Sequence, residues 1–335
     1  MGGVRSSEAL YTDRARTSVR IRSGSFRAGT ASPLQEATTP RPVGSARSRR
    51  PFFRVLTTGG FVLLALAGVL PSAGAAVAAL RFGHPAIEDP TVTLGKYQKV
   101  LDAMAEYVGV PVALVQSDTY AEVVTAFERG AVDVGILNAF SYVEIAGRAR
   151  LVPLVRRVRA GRDTYQGYLI VRHDDAVARY EDLRGKAIAF PDARSTTGYL
   201  LPRLMLRRHG LELTRDFRQV LFVGKHDSTA LAVANGTADV GAMASYIFED
   251  LESAIRAKLR VLDRSEPIPF GPIVARSGLG EALLGRIRTF FLTLDRTPQG
   301  QALLREARLS GFTGASDHDY RPIRTLVRRL REAPE

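Results

Sequence analysis

The chain has 335 residues, contains no cysteine and carries a formal net charge of +13 at pH 7. The length suffices for two domains of ordinary size, and the absence of cysteine excludes disulfide bonds and thiolate metal sites. Much of the charge excess lies in residues 1–54, where eleven arginines stand against three acidic residues. No basic stripe with interleaved aromatic residues accompanies it, so we do not expect nucleic acid as a partner.

The N-terminal segment predicts an export signal preceded by an extension without apolar periodicity. Residues 1–47 are rich in Arg, Ser, Thr, Gly and Pro, which is typical of disorder or of an upstream start-site artefact. Residues 48–79 combine an arginine pair, the apolar run 55–70 and a small-residue stretch with Ala-x-Ala sites, the order of a secretory signal peptide. The arginine pair fits the twin-arginine route and general secretion about equally. We therefore expect a soluble periplasmic protein whose mature chain begins near Leu80.

From Leu80 onward, strand and helix patterns alternate, which is typical of doubly wound α/β lobes. The predicted strands are 80–83, 110–115, 132–137, 151–158, 165–171, 186–190, 219–223, 240–243, 259–262 and 273–275. The predicted helices are 96–107, 120–129, 140–149, 197–208, 227–235, 246–256, 281–294, 299–309 and 322–331. We predict a first lobe from residues 80–171 plus 268–335 and a second lobe from residues 172–267. Chain crossings near residue 172 and at the proline-rich residues 264–272 would form a two-strand hinge.

Two stretches of the chain repeat one template. Residues 120–135 read YAEVVTAFERGAVDVG and residues 226–241 read HDSTALAVANGTADVG. Each copy predicts a short helix, a glycine cap, a turn and a buried strand that opens on Asp-Val-Gly. The repeat predicts two similar lobes with a ligand-binding cleft between them, although Gly-x-x-Asp-Val-Gly is also common chemistry in loops that follow helices.

Hydroxyl groups and backbone N–H groups converge just after the predicted strand 186–190. Ser195 or Thr196 begins the next helix, where an oxyanion could bind or where the side chain could act only as the helix cap. The repeat places Tyr120 and His226 at matching helix starts, which face the cleft in doubly wound lobes. Hydrogen-bond donors would thus surround one small volume, which suits a phosphorus oxyanion without heavy positive charge.

The mature chain resembles the substrate-binding proteins of phosphonate, phosphite and phosphate ABC importers, which have the type II periplasmic-binding-protein fold. The resemblance runs from about Leu80 to Leu309. It rests on Phe82-Gly83, Tyr120, Tyr165, Ser195-Thr196-Thr197-Gly198-Tyr199, Pro202, Gly224-Lys225-His226-Asp227, Ala232-Val233-Ala234-Asn235-Gly236, Ser265, Ile268-Pro269 and Pro272. It implies a small phosphorus oxyanion as ligand, a membrane permease as partner and no cofactor; we expect a monomer.

The resemblance also implies which residues bind the phosphorus oxygens. Carried over position by position, they are Tyr120, Tyr165, Ser195, Thr196, Thr197 and His226. Aminoalkylphosphonate binders carry two carboxylates for the ammonium group, and Tyr246 and Gly271 stand in those places here. We expect Tyr246 to line the site and a cationic phosphonate to be disfavoured, because a buried ammonium without a carboxylate is costly.

Two other functions fit the sequence less well. An enzyme would need a nucleophile elbow around Ser195 or clustered metal ligands, but no Gly-x-Ser-x-Gly is present and the five histidines are scattered. We expect neither catalysis nor a bound metal. A sensing ectodomain of the same fold, anchored by an uncleaved segment 55–70, is the alternative. His84 lies near the predicted cleft, where it either contacts the ligand or packs.

Overall fold

The computed structural model describes residues 79–85, 87 and 90–332. The predicted extension 1–47 and, apart from Ala79, the predicted signal 48–79 lie outside the described residues. The strands are β1 Leu80–Pro85, β2 Val112–Ser117, β3 Val134–Ile136, β4 Leu151–Val158, β5 Thr164–Tyr165, β6 Gly167–Arg172, β7 Ala187–Phe190, β8 Gln219–Phe222, β9 Val240–Ala244, β10 Leu259–Arg264, β11 Ile268–Pro269, β12 Pro272–Arg276 and β13 Gly311–Gly314. The helices are α1 Pro90–Val108, α2 Tyr120–Glu128, α3 Ala139–Ile145, α4 Leu201–Arg208, α5 Leu213–Asp216, α6 His226–Ala234, α7 Ser245–Asp250, α8 Ser253–Arg256, α9 Glu281–Thr293, α10 Pro298–Glu306 and α11 Arg321–Glu332.

Two mixed sheets divide these elements into two α/β lobes, as predicted. The strand order is β13-β4-β12-β3-β1-β2 in the first lobe and β10-β6-β9-β7-β8 in the second. In each sheet three neighbouring strands are parallel, β2-β1-β3 and β8-β7-β9, and an antiparallel strand follows, β12 and β6 respectively. The carboxyl ends of the parallel strands therefore gather at one edge of each lobe, where ligands of such sheets bind.

A third, two-stranded sheet of β5 and β11 links the lobes. The prediction placed the first crossing near residue 172 because residues 165–171 read as one continuous strand. Gln166 interrupts that strand, and β6 pairs with β9 and β10 in the second lobe. The Ser265 hydroxyl accepts the N–H of Gly167 at 2.9 Å, which joins the two crossing segments there. The first crossing therefore lies at Gln166, earlier than predicted, and the other lobe boundaries remain a prediction.

The repeated helix–turn–strand unit has the same structure in both lobes. It comprises α2 and β3 in the first lobe and α6 and β9 in the second. The turn contains a glycine with positive φ in each copy, Gly130 at 69° and Gly236 at 75°. The repeated aspartate accepts a backbone hydrogen bond from the neighbouring strand in both copies. Asp133 accepts the backbone N–H of Arg81 on β1 at 3.0 Å, and Asp239 accepts that of Ala187 on β7 at 2.8 Å. Each carboxylate thereby joins the start of its own strand to the neighbouring parallel strand.

Several elements differ from the predicted ones; α5 and β11, for example, were not predicted. The helix predicted at 197–208 starts with a π-helical turn, Thr196–Leu200, before α4. The helix predicted at 246–256 is divided into α7 and α8, because the backbone at Leu251 and Glu252 is extended. Strand β13 was not predicted; it is short, contains glycine at both ends and pairs only with β4 at the sheet edge.

Each lobe has an apolar core behind its sheet. Phe82, Met104 and Phe291 are fully buried in the first lobe, and Ile188 and Leu206 in the second. None of the helices in the described ranges combines the length and the apolar character needed to cross a bilayer. The buried apolar side chains of the two cores stabilise the sheets whose edges border the cleft.

Candidate functional site

A small cavity lies between the lobes, at the carboxyl ends of β1, β3, β7 and β9. Every residue that the sequence analysis assigned to the site lines it: Tyr120, Tyr165, Ser195, Thr196, Thr197, His226 and Tyr246. The cavity volume is about 20 Å³, somewhat more than the roughly 10–15 Å³ that a single enclosed water needs. In this conformation the cavity therefore admits only a very small group.

The start of the π-helical turn supplies hydrogen-bond donors to this cavity. Ser195 caps the turn, since its Oγ accepts the N–H of Gly198 at 3.0 Å. Among the described residues, the backbone N–H groups of Thr196 and Thr197 have no acceptor. Unpaired N–H groups at the start of a helix attract anions. Ser195 therefore caps the turn, while the next two residues leave N–H groups free, and the oxyanion site stays a prediction.

His226 determines how the Ser195 hydroxyl is oriented. Its Nδ1 accepts the backbone N–H of Ala244 at 3.1 Å, which assigns the proton of the neutral ring to Nε2. Nε2 lies 3.2 Å from Ser195 Oγ. Burial lowers the pKa of His226 to about 3, so the ring is neutral at physiological pH. The Ser195 oxygen thus accepts two hydrogen bonds, and its own proton remains to donate into the cavity.

This geometry changes the role expected of His226. The sequence analysis expected the imidazole to donate directly to the anion. Both ring nitrogens are instead engaged with protein groups, namely Ser195 Oγ and the Ala244 N–H. Gly198 makes this close packing feasible, because a Cβ there would lie 2.8 Å from His226 Cε1 and 2.3 Å from Pro191 Cγ.

Thr196 connects the two lobes across the cavity. Its hydroxyl donates to Asn138 Oδ1 at 3.1 Å and accepts the N–H of Phe140 at 3.0 Å. Asn138 in turn donates to the backbone oxygen of Arg194 at 3.0 Å. The Thr196 hydroxyl therefore joins the two lobes, and its backbone N–H has no acceptor among the described residues. The sequence analysis missed Asn138, although an Asn between a buried strand and a helix is a recognisable cap signal.

Ion pairs also join the lobes in this closed arrangement. Arg194 in the second lobe pairs with Glu144 on α3 of the first. Asp250 at the end of α7 pairs with both Arg159 and Arg308, the latter at 2.8 Å. Arg159 and Arg308 belong to the first lobe and Asp250 to the second, so both pairs join the two lobes.

Tyrosine rings form the wall opposite the helix start. Tyr165 stacks on Phe270 with ring centroids 4.5 Å apart and 6° between the planes, and Tyr246 meets Tyr165 edge-on at 5.5 Å. The side chains of Thr196 and Thr197 contact the Tyr165 hydroxyl. Burial raises the pKa of Tyr165, and it raises the pKa of Tyr120 well above the ordinary value. The phenols therefore keep their protons and can donate them to an anion.

Arg157 is the main site residue that the sequence analysis missed. It lies on β4, only 9% of its surface is exposed, and it lines the cavity. Its guanidinium donates to the Tyr97 hydroxyl at 3.1 Å and lies 5.1 Å from the Phe270 ring centroid, while its Nε has no hydrogen-bond partner. Among the described residues no carboxylate forms an ion pair with it. Arg157 adds one positive charge to the donors expected from the sequence, and its signal there is an Arg two residues after a buried strand residue, Val155.

The cavity wall carries no carboxylate among the described residues. Tyr246 and Gly271, the two positions predicted to lack one, both line the cavity. A Cβ at Gly271 would lie 2.0 Å from the Leu137 backbone oxygen, so an acidic side chain would not fit there without a backbone shift. Within the described ranges, no group of three or more His, Cys, Asp or Glu residues could hold a metal ion.

Comparison with known proteins relates this fold to substrate-binding proteins. The family model for periplasmic substrate-binding proteins of phosphonate ABC transporters matches residues 82–320. The phosphonates-binding periplasmic protein of Escherichia coli K12 is 29% identical over 257 residues, which cover 74% of this chain and 76% of that protein. The phosphate-import protein PhnD of Mycolicibacterium smegmatis is 30% identical over 252 residues, 68% of this chain and 78% of that protein.

Solved structures of similar fold confirm the architecture. A binding-protein component of an ABC phosphonate transporter from Pseudomonas aeruginosa has a TM-score of 0.70 at 24% identity, covering 74% of this chain and 85% of its own. PhnD1 of Prochlorococcus marinus, solved in complex with methylphosphonate, has a TM-score of 0.70 at 19% identity, covering 76% of this chain and 99% of its own. The two lobes joined by a two-strand hinge therefore form the predicted type II periplasmic-binding-protein architecture, and the chain belongs to the phosphonate-binding family of ABC transporter periplasmic substrate-binding proteins.

Proposed function

We propose that the chain is the exported substrate-binding component of an ABC importer. On this proposal it binds a small phosphorus oxyanion, namely phosphite, phosphate or an alkylphosphonate, in the cavity between the lobes. Family membership supports the transport role, and the curated relatives are named for phosphonate binding and phosphate import. In this role the protein catalyses no reaction and delivers its ligand to a membrane permease.

The buried guanidinium of Arg157 is the observation that carries the choice of an anion. A buried charge is costly unless a partner of opposite sign compensates it, and no carboxylate among the described residues does so. An anion in the cavity would supply that partner. Arg157 lines the same cavity as the helix start, so charge and hydrogen-bond donors converge on one small volume.

The donors match an oxyanion whose oxygens point in several directions. Ser195 offers its hydroxyl proton, Thr196 and Thr197 offer backbone N–H groups, and Tyr120 lies across the cavity. The donors come from both lobes, so a bound anion favours the closed form. Because the described wall has no carboxylate, an ammonium-bearing phosphonate lacks a partner for its cation.

Calorimetric titration with phosphate, phosphite, methylphosphonate and 2-aminoethylphosphonate tests the proposal. We expect the first three ligands to include the tightest binder and the aminophosphonate to bind more weakly. A hydrogen bond to a charged group contributes roughly 1.5–3 kcal/mol, so Ser195→Ala should weaken binding by about one to two powers of ten. Thr237 is exposed on the turn of the second repeat, and Thr237→Ala is the matched control that should bind like wild type.

Two outcomes would contradict the proposal. No heat and no thermal stabilisation with any phosphorus oxyanion would show that the cavity serves another ligand. Tightest binding of the aminophosphonate would show that an ammonium partner exists, with Glu249, Asp250 or Glu266 as the candidates.

A further inference from the structure

His84 is a buried histidine to which the proposed function gives no role. It lies near the carboxyl end of β1, lines the anion cavity and is only 2% exposed. Its Nδ1 is buried without a hydrogen-bond partner among the described residues. The large majority of buried side-chain polar atoms have such a partner, and a ligand in the cavity can supply one here.

The imidazole ring of His84 is held by packing and is neutral. It lies against the Tyr97 ring with centroids 4.8 Å apart, and the Tyr97 hydroxyl accepts a hydrogen bond from Arg157 at 3.1 Å. Burial, together with the positive charge of Arg157, lowers the pKa of His84 to about 3. In a neutral ring Nδ1 is either a donor or an acceptor, so a partner that can both donate and accept suits either tautomer.

The donors of the second lobe leave one side of a tetrahedral anion for His84. Ser195 offers its hydroxyl proton there, and Thr196 and Thr197 offer backbone N–H groups. An anion that turns its oxygens toward this helix start presents its fourth substituent to the first lobe, where His84 lies. The cavity of about 20 Å³ restricts that substituent to a very small group. Hydrogen, fluorine, methyl and hydroxyl are of this size, and among them only hydroxyl is both a donor and an acceptor.

We propose that His84 is the specificity-determining residue for the fourth substituent on phosphorus, and that the preferred ligand carries a hydroxyl group there, as inorganic phosphate does. This inference rests on the proposed function and selects among its ligands. The phosphorus hydroxyl donates to Nδ1 or accepts from it, while the other three oxygens bind at the helix start. Phosphite places hydrogen beside the imidazole, and methylphosphonate places a methyl group there. Each leaves Nδ1 buried and unpaired, and a site built for a hydroxyl group rejects analogues without one for this reason.

Calorimetry with phosphate and monofluorophosphate tests this inference at an alkaline pH, where both are dianions of nearly the same shape. We expect wild-type protein to bind phosphate at least about tenfold more tightly than monofluorophosphate or methylphosphonate. His84→Phe keeps a ring against Tyr97 and removes Nδ1. It should therefore abolish the preference by weakening phosphate binding, with little change in the affinity for monofluorophosphate.

Two further variants make the result specific. His84→Asn keeps a polar atom near the position of Nδ1 and should retain part of the preference for phosphate, so it also serves where His84→Phe does not fold. His173 is exposed and lies outside the cavity wall. His173→Phe is the matched control and should discriminate between the two dianions like wild type.

The outcomes separate this inference from the proposed function. If wild-type protein binds monofluorophosphate or methylphosphonate as tightly as phosphate, or more tightly, the inference is overturned while the proposed function stands, and water then satisfies Nδ1. An unchanged preference for phosphate in His84→Phe would overturn it as well, because another group would then contact the hydroxyl. Failure of phosphate, phosphite and methylphosphonate alike would overturn the proposed function and this inference together.

Discussion

Ser195 and His226 form one functional unit, in which the imidazole Nε2 lies 3.2 Å from the hydroxyl oxygen. The opposite ring nitrogen is held by the Ala244 N–H at 3.1 Å. The ring therefore leaves the hydroxyl only one free direction for its proton, toward the cavity. Preorganisation of this kind lowers the cost of ordering a donor when the ligand binds.

Replacing His226 should separate its structural role from its binding role. An Asn side chain retains an acceptor near the Nδ1 position but cannot reach Ser195, whereas Ala leaves the Ala244 N–H unpaired. We expect His226→Asn and His226→Ala to weaken anion binding alike, by about one to two powers of ten. Only His226→Ala should also lower the unfolding temperature strongly. Titration calorimetry and thermal unfolding measure the two effects, and wild-type affinity in His226→Asn would contradict the positioning role.

Arg157 and Arg156 are neighbours on β4 with opposite expected phenotypes. Truncating one member of a buried charge pair costs about 2–5 kcal/mol of binding, so Arg157→Met should weaken anion binding by at least about thirtyfold. Without ligand the same variant should be as stable as wild type or more stable, because an uncompensated buried charge is removed.

The adjacent arginine is the control for that prediction. Arg156 pairs with Asp163 and Asp319 at 2.7 and 3.0 Å, so Arg156→Met should lower stability and change affinity little. Paired measurements of unfolding midpoint and dissociation constant check both variants. Strong destabilisation of the ligand-free protein by Arg157→Met would show that its charge is compensated within the protein.

Lobe closure should depend on Asp250, which pairs with Arg159 and Arg308 across the cleft. Asp250→Asn weakens both pairs and should shift the ligand-free protein toward an open form. Apparent affinity scales with the population of the binding-competent form, so we expect a severalfold loss. Small-angle scattering should show compaction on ligand binding, starting from a more open state in the variant. Identical profiles with and without a ligand shown to bind would contradict closure.

Stability should fall as the pH decreases below about 6.5, because two histidines are buried in the neutral form. Burial lowers the pKa of His226 to about 3, and burial together with the charge of Arg157 lowers that of His84 to about 3. The unfolded chain then binds protons that the folded chain does not. Each histidine should reduce the free energy of unfolding by about 1.4 kcal/mol per pH unit between roughly pH 6 and pH 4.5.

Urea unfolding at a series of pH values checks this dependence. In His226→Asn the slope in this window should be about half that of wild type. A flat profile in wild-type protein between pH 7 and pH 5 would show that both rings can be protonated in the folded state.

Export and cleavage remain predictions about residues before the described part of the chain. We expect the periplasmic protein to begin near Leu80, because the small-residue stretch ends there and β1 follows. N-terminal sequencing of exported protein measures this, and retention of segment 55–70 would favour the anchored sensor. Replacing Arg49 and Arg50 with Lys should stop export only on the twin-arginine route.

Local chemistry determined much of the fold and the core of the candidate site. In each copy of the repeat, the turn glycine has a positive φ and the aspartate accepts a hydrogen bond from the neighbouring strand. Both features lie within or beside one helix–turn–strand unit, so the repeat alone predicted both lobes. The hydroxyl-rich helix start at Ser195 is a similarly local signal, because a cap and its free N–H groups lie within a few residues.

The tertiary structure decided which charges face the ligand. In the sequence, Arg156, Arg157 and Arg159 form one basic cluster, and strand alternation only places the first two on opposite faces. Which face meets the cleft depends on β12 and β13, the neighbours of β4, which come from much later in the chain. The contacts of Thr196 with Asn138 and Phe140 likewise exist only when two lobes close on each other. Long-range packing therefore determined the sign of the site's charge, whereas short-range backbone chemistry determined where its donors begin.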